Sequence, residues 1–159
     1  MAGLKSALVE AGFGDVRTLL QSGNLILPPS SRSRSAVASG IASLIASNFD
    51  MQVKVLTRTE AELRAILDRN PYLDMDIPRS LLHVVFLDEA PTHSRVGDLD
   101  PERSPPDRFS VSGQEIFVAY PGGSGRSKLD LAYFEKVLGV PGTARNWNTV
   151  SKLSQLVGG

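Results

Sequence analysis

Two polar segments towards the C-terminal end of the chain contain the residues best suited to bind an anion. The first is a glycine-rich run over residues 122–128, and the second, residues 144–149, surrounds the only tryptophan. The candidate site consists of Gly123, Ser124, Gly125, Arg126, Ser127, Lys128, Arg145, Asn146 and Asn148. A glycine-rich turn in front of a helix leaves backbone N–H groups free, and the helix dipole favours an anion there. The pattern predicts a site for an anionic ligand, either a nucleotide or a nucleic-acid phosphate.

The glycine-rich run also has a purely structural interpretation. Ser127 and Asp130 have the spacing of a capping box, so the run can be a solvated loop that leads into a capped helix. It is not a Walker phosphate loop, in which lysine precedes serine or threonine, because Ser127 precedes Lys128 here. It is not a nucleophile elbow either, because Ser124 lacks the required glycine spacing. The motif favours the structural interpretation and leaves anion binding open.

The second segment has two interpretations of its own. The indole of Trp147, flanked by asparagine amides and Arg145, could stack on a base. In the alternative, Asn146 or Asn148 is the N-cap of a final helix, and Trp147 packs that helix against the core. The large apolar area of the indole favours packing.

Catalytic chemistry has weaker support than binding. An enzyme acting on a phosphorylated or carboxylated small molecule could use Tyr120, Ser124 or Ser127, but the sequence places no activated base beside them. A structural or interaction role is a further alternative. The two histidines, His83 and His93, have unrelated spacing, and cysteine is absent, so we expect no metal and no cofactor.

Composition limits the remaining classes of function. The 159 residues are 42% hydrophobic and 21% charged, which is typical of a soluble globular protein. The formal net charge of zero argues against nucleic-acid binding by the whole surface, although a local patch stays open. The absence of cysteine and of an apolar run near the roughly 20 residues of a membrane span predicts a cytoplasmic protein with no membrane partner.

Hydrophobic periodicity predicts the elements that position these segments. In the first half we expect helices over residues 4–11 and 37–49, strands over 15–21 and 25–27 joined by a turn at 21–24, and a strand over 52–57. Residues 30–35 form a Ser/Arg-rich loop.

The second half begins with a helix that has a capping box at Thr59 and Glu62. A continuous apolar run predicts a central strand over residues 81–87, and a hairpin follows over 109–120. Two terminal helices, from about residues 127 and 148, complete the chain. The order predicts an α+β protein with mostly antiparallel sheet, built from two ferredoxin-like βαββα-type subdomains, residues 1–58 and 59–159. The first strand of the first subdomain is missing from this pattern.

Four segments together resemble a bacterial family, domain of unknown function family 1697. They are residues 21–24, 83–87, 120–129 and 144–153. The resemblance implies the two-subdomain α+β fold and no particular activity. Family members usually begin with a hydrophobic strand and a turn of the type Arg-Gly-Ile-Asn-Val-Gly-Gly, which this chain lacks. We therefore expect that the natural start lies upstream of Met1.

Overall fold

A computed structural model describes residues 2–14, 16–19, 24–28 and 33–158. The chain forms two compact units, Met1–Thr57 with Gln155–Gly159, and Arg58–Ser154. The predicted subdomains, residues 1–58 and 59–159, stay a prediction as folding units.

The first unit pairs two helices with a small sheet. Its elements are α1 (Ala2–Glu10), β1 (Arg17–Leu19), β2 (Asn24–Ile26) and α2 (Arg34–Phe49). Strands β1 and β2 are antiparallel. Leu8, Val16 and Ile41 are buried together and form the core of this unit. The predicted helices and both strands are confirmed, whereas residues 21–23 of the predicted turn and residues 30–32 of the Ser/Arg-rich loop lie outside the described residues.

The predicted strand over residues 52–57 is wrong. Residues 50–59 lie in neither a helix nor a strand. A strand requires hydrogen bonds to a neighbouring strand. Within the described ranges, the sheet of this unit contains β1 and β2 alone. A strand would place Val53 and Val55 on one face, but Val55 contacts the core while Val53 is exposed, so the alternating pattern does not correspond to one buried face.

The second unit is built on a four-stranded antiparallel sheet. Its elements are α3 (Glu60–Arg69), a 3-10 turn (Arg79–Leu81), β3 (Leu82–Leu87), α4 (His93–Gly97), β4 (Arg108–Ser112), β5 (Glu115–Ala119), α5 (Leu131–Leu138), β6 (Gly142–Asn146) and the larger part of α6 (Trp147–Gly158), whose residues from 155 onwards belong to the first unit. The strand order is β4-β5-β3-β6, and every neighbouring pair is antiparallel. The predicted central strand is confirmed, because β3 lies between two partners. The capping box is confirmed as well, since Thr59 and Glu62 form both of its hydrogen bonds.

One face of this sheet carries the main core of the second unit. Val85 of β3 and Val118 of β5 pack there with Phe134 and Leu138 of α5. The ring of Phe134 meets the ring of Phe109 at 5.6 Å in a T-shaped arrangement. Because side chains alternate along a strand, neighbouring residues of these strands point to the opposite face.

An ionic cluster around the buried Glu115 lies at one end of the sheet. Glu115 at the start of β5 accepts hydrogen bonds from Nε of Arg58 at 2.8 Å and from Nη2 of Arg69 at 2.6 Å. Nη2 of Arg58 also donates to the carbonyl oxygens of Leu87 and Gln114. We call Arg58, Arg69 and Glu115 the ionic cluster. It connects both ends of α3 to the β4–β5 hairpin and to the end of β3.

Strand β6 was not predicted. Its sequence is short and polar and follows Pro141, and Thr143 is its one residue of the β-branched or aromatic types that are common in strands. It forms because β3 offers an edge, with Gly142 opposite Leu87 and Asn146 opposite His83. A Cβ atom on Gly142 would lie 2.8 Å from the carbonyl oxygen of Phe86, so this position requires glycine.

The structure confirms the α+β class with an antiparallel sheet. The ferredoxin-like form of the two subdomains and the missing first strand stay predictions. Across the described ranges, no helix is long and apolar enough to cross a membrane.

Candidate functional site

The glycine-rich turn, defined here as residues 122–126, begins directly after β5 and Tyr120–Pro121. The backbone N–H of Tyr120 donates to the carbonyl of Leu81 at 3.0 Å, and its hydroxyl donates to the carbonyl of Leu129 at 2.6 Å. Gly123 has a φ of 93° and donates its N–H to the carbonyl of Tyr120 at 2.8 Å. Tyr120 therefore fixes the entry to the turn and the segment that leaves it.

Burial, reinforced by the carboxylates of Asp107 and Asp130, raises the pKa of Tyr120 to about 12. The phenol therefore stays protonated at neutral pH and keeps its donor role. It is a structural hydroxyl rather than a catalytic base.

A second set of hydrogen bonds joins the turn to the proline-rich loop before β4. The hydroxyls of Ser127 and Ser104 both donate to Oδ2 of the buried Asp107, at 2.6 Å and 3.1 Å. The backbone N–H of Lys128 donates to Oγ of Ser104 at 3.2 Å. The Ser127 hydroxyl is therefore engaged with a carboxylate and serves to connect two loops.

The predicted capping box at Ser127 and Asp130 is wrong. Asp130 itself is the N-cap of α5, and its carboxylate accepts from the backbone N–H of Tyr133 at 2.9 Å. Ser127 instead donates to Asp107, and a hydrogen bond to a carboxylate is stronger than one to a neutral group. The helix consequently begins at Leu131, several residues after the glycine-rich turn, and its dipole does not act on the turn.

Three consecutive backbone donors in the turn are free of protein partners. The N–H groups of Ser124, Gly125 and Arg126 donate to no group in the described part of the chain. The side chains of Arg126 and Lys128 are exposed, and neither has a hydrogen-bond or ion-pair partner among the described residues. Ser124, Gly125, Arg126 and Lys128 are all exposed.

The residues of the second polar segment have structural partners. Arg145 is half-buried, and its Nη1 donates to Oγ1 of Thr143 at 2.6 Å and to the carbonyl of Ala144 at 2.8 Å. Burial lowers the pKa of Arg145. Oδ1 of Asn146 accepts from the N–H of Thr149 at 3.0 Å, as expected of the N-cap of α6. Trp147 is buried and Asn148 is exposed.

Sheet geometry separates Arg145 from Asn146. Adjacent residues of β6 point to opposite faces of the sheet, and Ala144 packs against the main core. Asn146 therefore shares the face of His83, whose ring lies 4.9 Å from the ring of Tyr120. Arg145 points to the other face. Gly123 to Lys128 are contiguous in the chain, and a single ligand that they share with Arg145, Asn146 and Asn148 stays a prediction.

His83 predicts a pH dependence of stability. Burial lowers its pKa from the usual value of 6.5, and its Nδ1 is buried with no hydrogen-bond partner in the described structure. In the unfolded chain His83 therefore becomes protonated near pH 6.5, whereas in the folded state it becomes protonated only at a lower pH. The free energy of unfolding should have its full value above about pH 6.5 and should decrease as the pH falls below it. The decrease is at most about 1.4 kcal/mol per pH unit for one titrating group.

Urea unfolding of the wild type and of His83→Phe between pH 7.5 and pH 5 measures this effect. Phenylalanine cannot titrate, so the free energy of unfolding of the variant should change less with pH than that of the wild type. The control is His93→Gln, because His93 is exposed. Identical pH profiles for wild type and His83→Phe would show that His83 does not contribute.

Comparison with protein families matches residues 1–117 to a family described as protein of unknown function (DUF1697). The chain belongs to the DUF1697 family. This confirms the resemblance inferred from the sequence motifs. The matched region ends before the glycine-rich turn, so the turn and residues 144–153 lie beyond it.

A solved structure of a conserved bacterial protein from Streptococcus pneumoniae is similar to this DUF1697 protein. The TM-score is 0.70 at 22% sequence identity, and the match covers 100% of this chain and 89% of that chain. At this identity the likeness supports the fold alone. Comparison with curated proteins finds no match.

Sequence analysis of this DUF1697 protein missed two residues beside the turn. The guanidinium carbon of Arg103 lies 4.0 Å from the centroid of the Tyr133 ring, and Nε of Arg103 donates to the carbonyl of Lys128 at 2.8 Å. The two residues are 30 positions apart, and Arg103 lies in a proline-rich loop, so no local pattern connects them. In the described residues, no group of His, Cys, Asp or Glu is suited to hold a metal ion.

Proposed function

We propose that this protein binds a phosphate-bearing ligand at the glycine-rich turn. The observation that carries the proposal is the set of three consecutive free N–H groups, at Ser124, Gly125 and Arg126, beside the exposed cations Arg126 and Lys128. Successive backbone N–H groups in a turn form a concavity that suits an anion, and lysine and arginine add charge.

Neither the free N–H groups nor the exposed cations would indicate a binding site alone. Exposed cations are common, and free N–H groups in a surface loop can be hydrated. Their coincidence is more informative, because Tyr120 and Asp107 fix the segments on both sides of these three consecutive donors. A Cβ atom on Gly122, Gly123 or Gly125 would meet nothing within 4 Å, so the surface of the turn is open to a ligand.

Binding has more support than catalysis. The hydroxyls of Tyr120 and Ser127 donate to a carbonyl and to a buried carboxylate, so neither is available as a nucleophile. Ser124 is exposed, but no base contacts it in the described part of the chain. We also infer a cytoplasmic location, supported by the absence of cysteine.

Removing both cations should weaken binding of inorganic pyrophosphate. Because an exposed ion pair contributes about 0.2–1 kcal/mol, we expect Arg126→Ala with Lys128→Ala to raise the Kd about tenfold. NMR titration of the wild type should shift the backbone amide signals of Ser124, Gly125 and Arg126. Added salt should weaken the binding by screening.

A matched double variant, Arg64→Ala with Lys152→Ala, removes two exposed cations elsewhere and should leave the Kd unchanged. Equal weakening by both double variants would indicate a general effect of net charge. Amide signals of the turn that do not move at millimolar pyrophosphate would contradict the proposal.

A further inference from the structure

Arg103 presents a planar cation that is held by two contacts next to the glycine-rich turn. One face of its guanidinium lies over the Tyr133 ring, and Nε is bonded to the carbonyl of Lys128. The Tyr133 ring is itself fixed, because its hydroxyl accepts from the backbone N–H of Asp100 at 2.8 Å. Arg103 is exposed, so the outer face of the guanidinium is turned to solvent.

This stack lies close to the proposed anion site. The backbone carbonyl of Lys128 accepts the hydrogen bond from Arg103. Arg126 lies two residues before Lys128, so the Cα atoms of these two residues are at most about 7 Å apart. Base and phosphate in a nucleotide are separated by a similar length. A ligand with its phosphate on the turn can therefore reach the outer face of Arg103 with a planar ring.

A shallow depression of about 380 Å³ surrounds the stack, which is at the lower end of the range for small-molecule sites. It is lined by Arg103, Asp130, Ala132, Tyr133, Lys136 and Val137. The carboxylate of Asp130 would repel a phosphate there, whereas it can accept a hydrogen bond from a sugar hydroxyl. Arg103 and Lys136 add positive charge to the same lining, so charge alone does not place the phosphate. The free N–H groups of the turn favour a phosphate there, which leaves the depression for a sugar and ring.

We infer that the ligand of the glycine-rich turn is a nucleotide whose base stacks on the outer face of Arg103. Arginine guanidinium planes and aromatic rings are the groups on which proteins stack unpaired bases. The inference rests on the proposed phosphate site and adds a second contact to it. The chemistry, a phosphate joined to a planar base, is shared by free nucleotides and single-stranded nucleic acid.

Calorimetric titrations of the full chain with pyrophosphate, ADP and a short oligoadenylate test this inference. Stacking on an exposed group should make ADP bind about fivefold to tenfold more tightly than pyrophosphate. Arg103→Lys keeps the charge but removes the plane, so the ratio of the Kd for pyrophosphate to the Kd for ADP, measured in the same variant, should fall to about one. The control is Arg79→Lys, because Arg79 is exposed and also donates to a backbone carbonyl.

Each outcome separates the two proposals. If ADP binds no more tightly than pyrophosphate, or if Arg103→Lys leaves ADP binding intact, stacking is refuted and the phosphate site stands. If pyrophosphate does not bind, both proposals fail. Oligoadenylate that binds more tightly than ADP and depends on Arg103 supports stacking and identifies nucleic acid as the source; preference for ADP identifies a free nucleotide.

Discussion

Replacing Glu115 with glutamine is expected to lower the free energy of unfolding of the second unit by about 3–5 kcal/mol. The side chains of Glu115 and Arg58 are each only 7% exposed. Glutamine has nearly the same volume, so the effect isolates the lost charge. It leaves the guanidinium of Arg58 buried without the charge of Glu115, and breaking a buried pair in this way is far costlier than keeping it intact.

The hydrogen bonds of Arg58 keep its side chain from turning to solvent when Glu115 loses its charge. Its Nη2 is bonded to the carbonyl oxygens of Leu87 and Gln114, so the side chain would have to break these bonds to reach water. Arg69 differs, because its side chain is 38% exposed and can be hydrated when Glu115 loses its charge. Most of the destabilisation should therefore arise from Arg58.

Urea unfolding followed by the fluorescence of the single tryptophan measures the change. The matched control is Glu60→Gln, which breaks an i,i+4 pair with Arg64 whose side chains are 41% and 65% exposed. Such a pair contributes about 0.3–0.5 kcal/mol. A loss below about 1 kcal/mol for Glu115→Gln would mean that desolvation already cancels the attraction within the ionic cluster.

Replacing Trp147 with alanine is expected to cost about 3–5 kcal/mol, because the change removes a large buried side chain and leaves a cavity. Trp147 is 6% exposed and begins α6, next to the N-cap Asn146. This burial confirms the packing interpretation of the sequence. An indole in this position cannot present its face to a ligand without leaving the core.

Circular dichroism during urea unfolding measures this loss, with Asn148→Ala as the neighbouring control. Asn148 is exposed, and its replacement should change stability by less than about 0.5 kcal/mol. Trp147→Phe should retain much of the packing and should bind pyrophosphate like the wild type. A Trp147→Phe variant that is stable and binds pyrophosphate like the wild type, but binds ADP more weakly than the wild type does, would favour the ligand-stacking alternative.

Signals within a few residues of each other were sufficient to predict much of the fold. The capping box at Thr59 is complete within four residues, and the apolar run of β3 indicates a strand covered on both faces. The errors arise where a distant partner decides the outcome. Residues 52–57 have a strand pattern but no partner, whereas β6 has a poor strand pattern and pairs with β3.

The same distinction applies to the candidate site. The glycine-rich turn is recognisable because its residues are contiguous in sequence. The role of Ser127 was predicted wrongly because Asp107, 20 positions away, takes its hydroxyl. The Arg103–Tyr133 stack and the ionic cluster join residues 30 to 57 positions apart, so no pattern in the sequence could reveal them.

Arg58 also has a mechanical consequence. It is the first residue of the second unit and follows residues 50–57, which lie in neither helix nor strand. Tension on the chain at this point would divide between the backbone of α3 and a guanidinium bonded to the ends of β3 and β5. The backbone and the side-chain hydrogen bonds of Arg58 would therefore carry the force at the same time. Pulling on the segment before Arg58 would therefore have to break several hydrogen bonds at once before α3 could unwind from its first turn.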